Sequence, residues 1–104
     1  MSFTQFVKTT SGWAVLPRKN QPADAVILAY QTSDNSNIAF AITEVKQIRK
    51  DVAETFKKQR YTASGWSTTF SRNLIDREAV SISAWAFDSS RGKAYQLANI
   101  HNLP

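Results

Sequence analysis

The stretch that decides the fold is Ala25-Val26-Ile27-Leu28-Ala29-Tyr30, a run of apolar residues that includes β-branched side chains. Side chains alternate between the two faces of a strand, so the even-numbered residues of this run share one face and the odd-numbered residues share the other. Both faces are therefore apolar, which is typical of a strand that is covered on both sides. We expect residues 25–30 to form the central strand of a sheet.

Alternating patterns recur along the rest of the chain. Residues 32–37 have the composition of a turn, because Asp and Asn side chains hydrogen-bond their own backbone in turns. Residues 38–45 alternate again, which predicts a β-hairpin with the central strand. Residues 5–16 are expected to form one strand or a bent pair, and further strands are expected at residues 64–71, 80–87 and 94–97. About six or seven short strands joined by turns fit a mostly β sandwich or a partly open barrel, and we expect a single antiparallel β-sandwich.

One segment changes period. Val45, Ile48, Val52 and Phe56 are spaced three or four residues apart, which is helical spacing. Acidic residues at the start of this segment and basic residues at its end complement the dipole of a helix. The pattern predicts one short inserted α-helix at about residues 52–59.

Length and composition fit one globular domain. The chain has 104 residues, of which 42% are hydrophobic and 20% charged, so we expect a single domain over residues 1–104. Cysteine is absent, so apolar burial rather than disulfides must hold the fold. The pattern of a secretory signal is missing, and the longest apolar run is far below the roughly 20 residues of a membrane helix. We therefore expect a soluble domain. The sequence leaves its compartment open, and one alternative is that the domain has been cut from a larger envelope-associated protein.

The residue types needed for catalysis are scarce. The single histidine, His101, lies in a tail that we expect to fray, and a nucleophilic triad needs a rigidly held histidine. Asp34 with Asn35 and Asn37, or Asp88 with loop carbonyls, could bind calcium, but turn formation explains both groups more simply. We expect no enzymatic activity and no cofactor.

Three tryptophans occupy similar settings, Ser11-Gly12-Trp13, Ser64-Gly65-Trp66 and Ser83-Ala84-Trp85. A small residue before each tryptophan leaves room for the indole against neighbouring backbone. The first and third rings are expected to pack between sheets, where an aromatic side chain gains most from burial. The second ring, Trp66, is close in sequence to Tyr61 and to the basic helix. It is the candidate for an exposed platform that stacks on a sugar or a base.

A resemblance rests on Gly12-Trp13-Ala14, Ser64-Gly65-Trp66 and Ala84-Trp85-Ala86-Phe87-Asp88, followed by Gly92 and Tyr95. These segments resemble a small bacterial β-sandwich domain that occurs beside membrane-embedded glycosyltransferase-like regions. The closing hairpin is similar to the last hairpin of bacterial immunoglobulin-like modules. The resemblance implies a non-catalytic accessory domain and transfers no functional residues to this chain.

The chain is basic, and its basic residues are concentrated around the predicted helix. The formal net charge is +5 with a pI of about 9.8, which favours anionic partners through long-range attraction. Residues 46–61 combine several lysines and arginines with aromatic residues, a composition found on surfaces that bind single-stranded nucleic acid. The candidate ligand-binding residues are Trp66, Tyr61, Lys57, Lys58 and Arg60.

Three functional hypotheses follow. The first is an accessory binding or interaction domain, associated with carbohydrate, the cell envelope or another protein. The second is a nucleic-acid or anionic-surface binder that uses the basic helix around residues 46–61. The third is a structural spacer or dimerisation module. The sequence leaves the ligand and the oligomeric state open.

Overall fold

A computed structural model describes the backbone from Val7 to Asn102 and the side chains of residues 9–71 and 73–97. This part of the chain contains eight β-strands and one α-helix, with two short 3-10 helices at Gln59–Tyr61 and Arg72–Leu74. The strands are β1 (Val7–Trp13), β2 (Val15–Leu16), β3 (Gln21–Pro22), β4 (Ala25–Gln31), β5 (Asn37–Glu44), β6 (Gly65–Ser71), β7 (Ser81–Asp88) and β8 (Lys93–Asn102). The helix α1 is Lys50–Phe56. The predicted mostly β domain with one short helix is confirmed.

All strand pairs are antiparallel. A four-stranded sheet has the order β5-β4-β7-β8, and β1 pairs with β6 in a separate two-stranded ribbon. The short strands β2 and β3, which lie between β1 and β4 in sequence, pair with each other in a small hairpin. The apolar run at residues 25–30 belongs to β4, which pairs with β5 on one side and β7 on the other, as its two apolar faces predict.

The ribbon and the four-stranded sheet enclose the hydrophobic core. Because side chains alternate along a strand, β4 and β7 each direct every second residue toward the ribbon. The buried cluster that results includes Val26, Leu28, Ile82, Ala84 and Ala86 from the sheet, with Trp66 and Phe70 from the ribbon. Burial of this apolar surface is the main stabilising contribution in a domain without disulfides.

A bulge in β5 strengthens the contact between the two layers. Leu28 pairs with Ala41 whereas the next residue, Ala29, pairs with Ala39, so Phe40 is the extra residue of the bulge. The Phe40 ring lies 5.2 Å from the Phe70 ring, edge to face, and this contact joins the sheet to the ribbon.

The two layers are also joined at one corner by backbone hydrogen bonds. The Gly65 backbone N–H donates to the carbonyl of Gln47 at 2.9 Å, and the Gln47 N–H donates back to the carbonyl of Gly65 at 2.9 Å. The chain that follows β5 is therefore paired with the start of β6. This pairing places α1, which lies between them in sequence, beside the end of the ribbon.

Two boundary predictions are wrong. The helix was expected at residues 52–59, but it ends at Phe56, because Lys57 adopts a left-handed conformation (φ 53°) and Lys58 N–H bonds back to the carbonyl of Ala53. The tail from residue 99 was expected to fray, but the backbone to Asn102 belongs to β8 and pairs with β7. Residues 1–6 and 103–104 lie outside the described residues. The expected single domain, the expected first strand and the expected tail all extend into them.

No helix in the described part of the chain is long and apolar enough to cross a membrane.

Candidate ligand groove beside the paired Gly-Trp dipeptides

The first two tryptophan motifs pair with each other in the ribbon. In the antiparallel register of β1 and β6, Gly12 lies opposite Trp66 and Trp13 lies opposite Gly65. Neighbouring residues of a strand point to opposite faces, so the two indoles leave the ribbon on opposite sides. Trp66 is 4% exposed and lies in the core, whereas Trp13 is 39% exposed.

This arrangement corrects the expected roles of the tryptophans. Trp66 is buried and offers no exposed platform, and Trp13 is not packed between sheets. Trp85 does not lie between the layers either, because it pairs with Ile27 on the face of the sheet that points away from the ribbon. Its indole Nε1 donates to Ser83 Oγ at 2.8 Å along that face. The alternation of side chains along β7 explains the orientation of Trp85, since Ile82, Ala84 and Ala86 occupy the positions that face the ribbon.

A groove of about 700 Å³ opens beside Trp13. Its aromatic residues come from four elements: Trp13 from β1, Phe56 from α1, Tyr61 from the first 3-10 helix and Tyr95 from β8. The Trp13 and Phe56 rings meet edge to face at 5.4 Å, and Phe56 meets Tyr61 in the same way at 5.7 Å. Phe56 and Tyr95 are each more than 40% exposed, so the groove presents apolar rings to solvent.

The charged residues of the groove are mostly cations. Arg18, Lys19, Lys58 and Arg91 line it together with a single acid, Asp88. The Lys19 Nζ donates to Asp88 Oδ1 at 2.7 Å, and Arg91 Nε lies 4.0 Å from the other carboxylate oxygen. The hydrogen bond from Lys19, more than any other interaction, holds the pKa of Asp88 below its usual value. With Asp88 ionised, the four cations leave a net positive charge on the groove.

The structure divides the sequence-predicted residues among three places. Lys58 and Tyr61 lie in the groove, where the Lys58 ammonium stands 5.7 Å from the centre of the Tyr61 ring and also bonds Asn20 Oδ1. Tyr61 is buried at 3% exposure, so it supports the groove wall rather than offering a face. Lys57 and Arg60 are exposed and do not line the groove.

Trp66, the fifth predicted residue, lines a second and smaller cavity. This inner cavity of about 240 Å³ lies between the ribbon and the sheet, and its lining includes Thr10, Gly12, Leu28, Trp66 and Ile82. The indole N–H of Trp66 has no hydrogen-bond partner among the described residues. A Cβ atom at Gly12 would lie 3.3 Å from that nitrogen, so the glycine is what lets the indole lie against the opposite strand.

The calcium alternatives find a simpler explanation in turns, at least around Asp34. Its Oδ1 accepts a hydrogen bond from the Ser36 backbone N–H at 3.1 Å and one from the Thr32 hydroxyl. These bonds, with Thr32 contributing most, keep the pKa of Asp34 below its usual value. Among the residues whose side chains are described, no three His, Cys, Asp or Glu groups converge as metal ligands. The side chain of His101 lies outside those residues.

Sequence reasoning missed Trp13, Phe56 and Tyr95 as groove residues. The position of Trp13 follows from the observed register: with Gly12 opposite Trp66 and Trp13 opposite Gly65, the two rings point to opposite sides of the ribbon. The core lies on the Trp66 side, and because this register joins residues far apart in sequence, no local pattern predicted it.

No protein-family model, no curated protein and no solved structure matches this chain. The resemblance to a bacterial accessory domain therefore stays a prediction, and the function has to be argued from the groove itself.

Proposed function

We propose that this protein is a non-catalytic binding module whose groove takes an acidic oligosaccharide. One observation carries the proposal: Trp13, Phe56 and Tyr95, all substantially exposed, converge on a groove that carries four cations and one acid. Binding sites for small ligands are largely apolar and aromatic, with a few charged groups that fix the orientation of the ligand. The accessory and envelope-associated role, implied by the resemblance, belongs to the same proposal.

The chemistry of a sugar acid matches both parts of the lining. The C–H face of a pyranose ring is apolar and flat enough to lie on an indole or phenyl ring, and its carboxylate can accept charge-assisted hydrogen bonds from Arg or Lys. Arg18 is the cation best suited to this, because its guanidinium can bond a carboxylate in a bidentate manner. Lys19 is already engaged with Asp88 and is therefore less available to a ligand carboxylate.

A titration with three tetrasaccharides tests the proposal. Tetragalacturonate and a hyaluronan tetrasaccharide are acidic, and cellotetraose is neutral. We expect tryptophan fluorescence to report binding of both acidic ligands, with an affinity that falls as salt screens the cations, and weaker binding of cellotetraose. If neither acidic tetrasaccharide binds at low ionic strength, the proposal is wrong.

Charge-matched variants separate the groove from the general basic surface. Arg18→Gln with Lys58→Gln removes two groove cations, and Lys57→Gln with Arg60→Gln removes two exposed cations outside the groove. We expect the first pair to weaken binding of tetragalacturonate about tenfold or more, which is the equivalent of 1.4 kcal/mol. The second pair should change it by less than about threefold, as expected for screened charges at a distance.

The second candidate function is binding of single-stranded nucleic acid. The observation that favours it is the exposure of Lys57, Lys58 and Arg60 together at the end of α1. Burial of Tyr61 counts against it, because base stacking needs an exposed aromatic face. If an oligodeoxythymidylate binds more tightly than tetragalacturonate, and the outer Lys57 and Arg60 pair matters more than the groove pair, this candidate replaces the first.

A further inference from the structure

The turn between β2 and β3, residues 17–20, carries Arg18 and is bonded through its side chains to two other parts of the fold. We infer that Lys58 is a positioning residue and not a ligand contact. By donating to Asn20 it holds this turn, and so keeps Arg18 in place for the carboxylate of the ligand. This inference rests on the proposed function, which assigns the acidic group of the ligand to Arg18.

The turn is weakly held by its own hairpin. The described pairs between β2 and β3 are Val15 with Pro22 and Leu16 with Gln21. Proline has no backbone N–H, so Pro22 cannot donate a hydrogen bond to its partner strand. An isolated two-stranded hairpin is at best marginally stable in water. The position of the turn therefore depends on contacts with the rest of the domain.

Two side-chain contacts supply that support, and each is made by a different residue of the turn. Lys19 donates to Asp88 Oδ1 at 2.7 Å and to the Ser90 hydroxyl, which joins the turn to the loop between β7 and β8. Lys58, which follows α1, donates to Asn20 Oδ1. Removal of the second contact would leave the turn tied to the β7–β8 loop alone.

The side chain of Lys58 is committed, whereas that of Arg18 is free. The Lys58 ammonium bonds Asn20 and stands 5.7 Å from the centre of the Tyr61 ring, within the range of a cation–π contact. A ligand that took this ammonium would have to replace the bond to Asn20. Arg18 is exposed, lines the groove and makes no side-chain hydrogen bond or ion pair with a described residue. Arg18 is therefore the cation that meets the ligand, and Lys58 acts through Asn20.

The variant Asn20→Gly separates the two roles of Lys58, because they predict changes of opposite sign. Asn20 has a φ of 53°, and glycine adopts this left-handed conformation without strain, so the variant removes the acceptor and keeps the backbone. If Lys58 contacts the ligand, the loss of Asn20 frees its ammonium, and binding stays equal or becomes tighter. If Lys58 holds the turn, the same change loosens Arg18, and binding becomes weaker although no charge is removed.

The test measures binding of tetragalacturonate by tryptophan fluorescence at low ionic strength. We expect Asn20→Gly to weaken binding about three- to tenfold, because Arg18 and its turn must then be ordered when the ligand binds. Asn35→Gly is the matched control, since Asn35 has a φ of 67° in the turn between β4 and β5 and does not line the groove. It should bind within about twofold of the wild type, as expected for a site that shares no partner with the groove.

A double-mutant cycle adds a readout that a general loss of stability would not give. Lys58→Met removes the donor, so the double variant with Asn20→Gly should bind within about twofold of Lys58→Met alone, because both changes remove the same bond. Lys58→Arg retains a donor for Asn20 and should recover most of the affinity that Lys58→Met loses. Urea unfolding of Asn20→Gly and Asn35→Gly should show similar midpoints, because glycine suits both backbones.

Each outcome has a definite reading. If Asn20→Gly binds as tightly as the wild type or more tightly, Lys58 does not position Arg18, and the inference is wrong while the proposed function stands. Additive losses in the double variant, or equal losses in Asn20→Gly and Asn35→Gly, would also contradict the inference. If the wild type binds neither acidic tetrasaccharide, the proposed function and the inference are both wrong.

Discussion

The two Ser-Gly-Trp tripeptides have the same sequence, lie side by side in one ribbon and have opposite environments. Trp66 is part of the core, while Trp13 is more than one-third exposed and forms the wall of a groove. Their antiparallel register puts the two rings on opposite faces of the ribbon, and the core lies on the Trp66 face. Whether a residue of this ribbon is buried therefore depends on the face that the strand register gives to its side chain, and not on its immediate neighbours in sequence.

The largest expected difference between the two tryptophans is in stability. Trp66→Ala should lower the free energy of unfolding by about 3–5 kcal/mol, the cost of deleting a large aromatic side chain from a core. Trp13→Ala should lower it by less, about 1–3 kcal/mol, because the ring is already more than one-third exposed and loses only its remaining buried surface and its edge-to-face contact with Phe56. Urea unfolding followed by circular dichroism measures both. Equal losses would show that the two rings are buried to a similar extent.

The two glycines should differ in the next largest effect. A Cβ atom at Gly65 would lie 2.7 Å from Arg49 Cγ and 2.9 Å from the carbonyl oxygen of Gln47, so the backbone pairing at the corner must shift. The atoms nearest to a Cβ atom at Gly12 belong to the Trp66 ring, at 3.3 Å. We expect Gly65→Ala to cost about 1–3 kcal/mol, as overpacking does, and Gly12→Ala to cost less.

Chemical denaturation of the two glycine variants measures this difference. A larger cost at Gly12 than at Gly65 would contradict the expected order. It would mean that the indole of Trp66 is held more rigidly than the backbone corner at which Gly65 pairs with Gln47.

Ligand binding should reverse the order of the tryptophans. Trp13→Ala removes an exposed groove ring and should weaken binding of tetragalacturonate at least about tenfold, or 1.4 kcal/mol. Trp85→Ala is the matched control, since it removes the same side chain from the opposite face of the sheet, and it should leave affinity within about twofold. Isothermal titration calorimetry compares the two variants. If both weaken binding equally, the ligand does not occupy the groove beside Trp13.

The sequence predicted those parts of the fold that depend on local patterns. The hairpin of β4 and β5 follows from alternation on either side of a polar turn, and both strands were predicted to within about one residue. The end of α1 was not predictable, because Lys57 adopts the left-handed conformation that glycine usually supplies. The lysines after Phe56, which complement a helix dipole in sequence, therefore lie outside the helix.

The groove was less predictable than the strands. Its rings come from β1, α1 and β8, which meet only when non-local strand pairs form. The basic segment did identify Lys58 and Tyr61, because they are adjacent to α1 in sequence. Trp13 and Tyr95 have no such local signal. Trp66 was singled out for an exposed face, whereas the structure buries it and leaves only its N–H without a partner.

The smallest expected effect is on the pH dependence of stability. It arises because the two sides of the ribbon differ in charge. The groove beside Trp13 contains the Lys19–Asp88 ion pair, while none of the described residues that line the inner cavity with Trp66 is charged. Because Lys19 holds the pKa of Asp88 below its usual value, the ionised carboxylate stabilises the folded state. This stabilisation is complete above the unfolded-state pKa of about 3.9 and is lost as the pH falls through the lower pKa of the folded state.

Acid unfolding of Asp88→Asn and Glu78→Gln tests this assignment. Glu78 is an exposed carboxylate in the turn before β7 and serves as the control. We expect the wild type and Glu78→Gln to lose stability in parallel below about pH 4, the range in which an ordinary aspartate protonates. Asp88→Asn should lose less between neutral and acid pH, because the group that titrates is gone. If Asp88→Asn loses as much stability in acid as the wild type does, the ion pair in the groove does not stabilise the fold. The Trp13 side of the ribbon would then resemble the Trp66 side in having no stabilising ion pair.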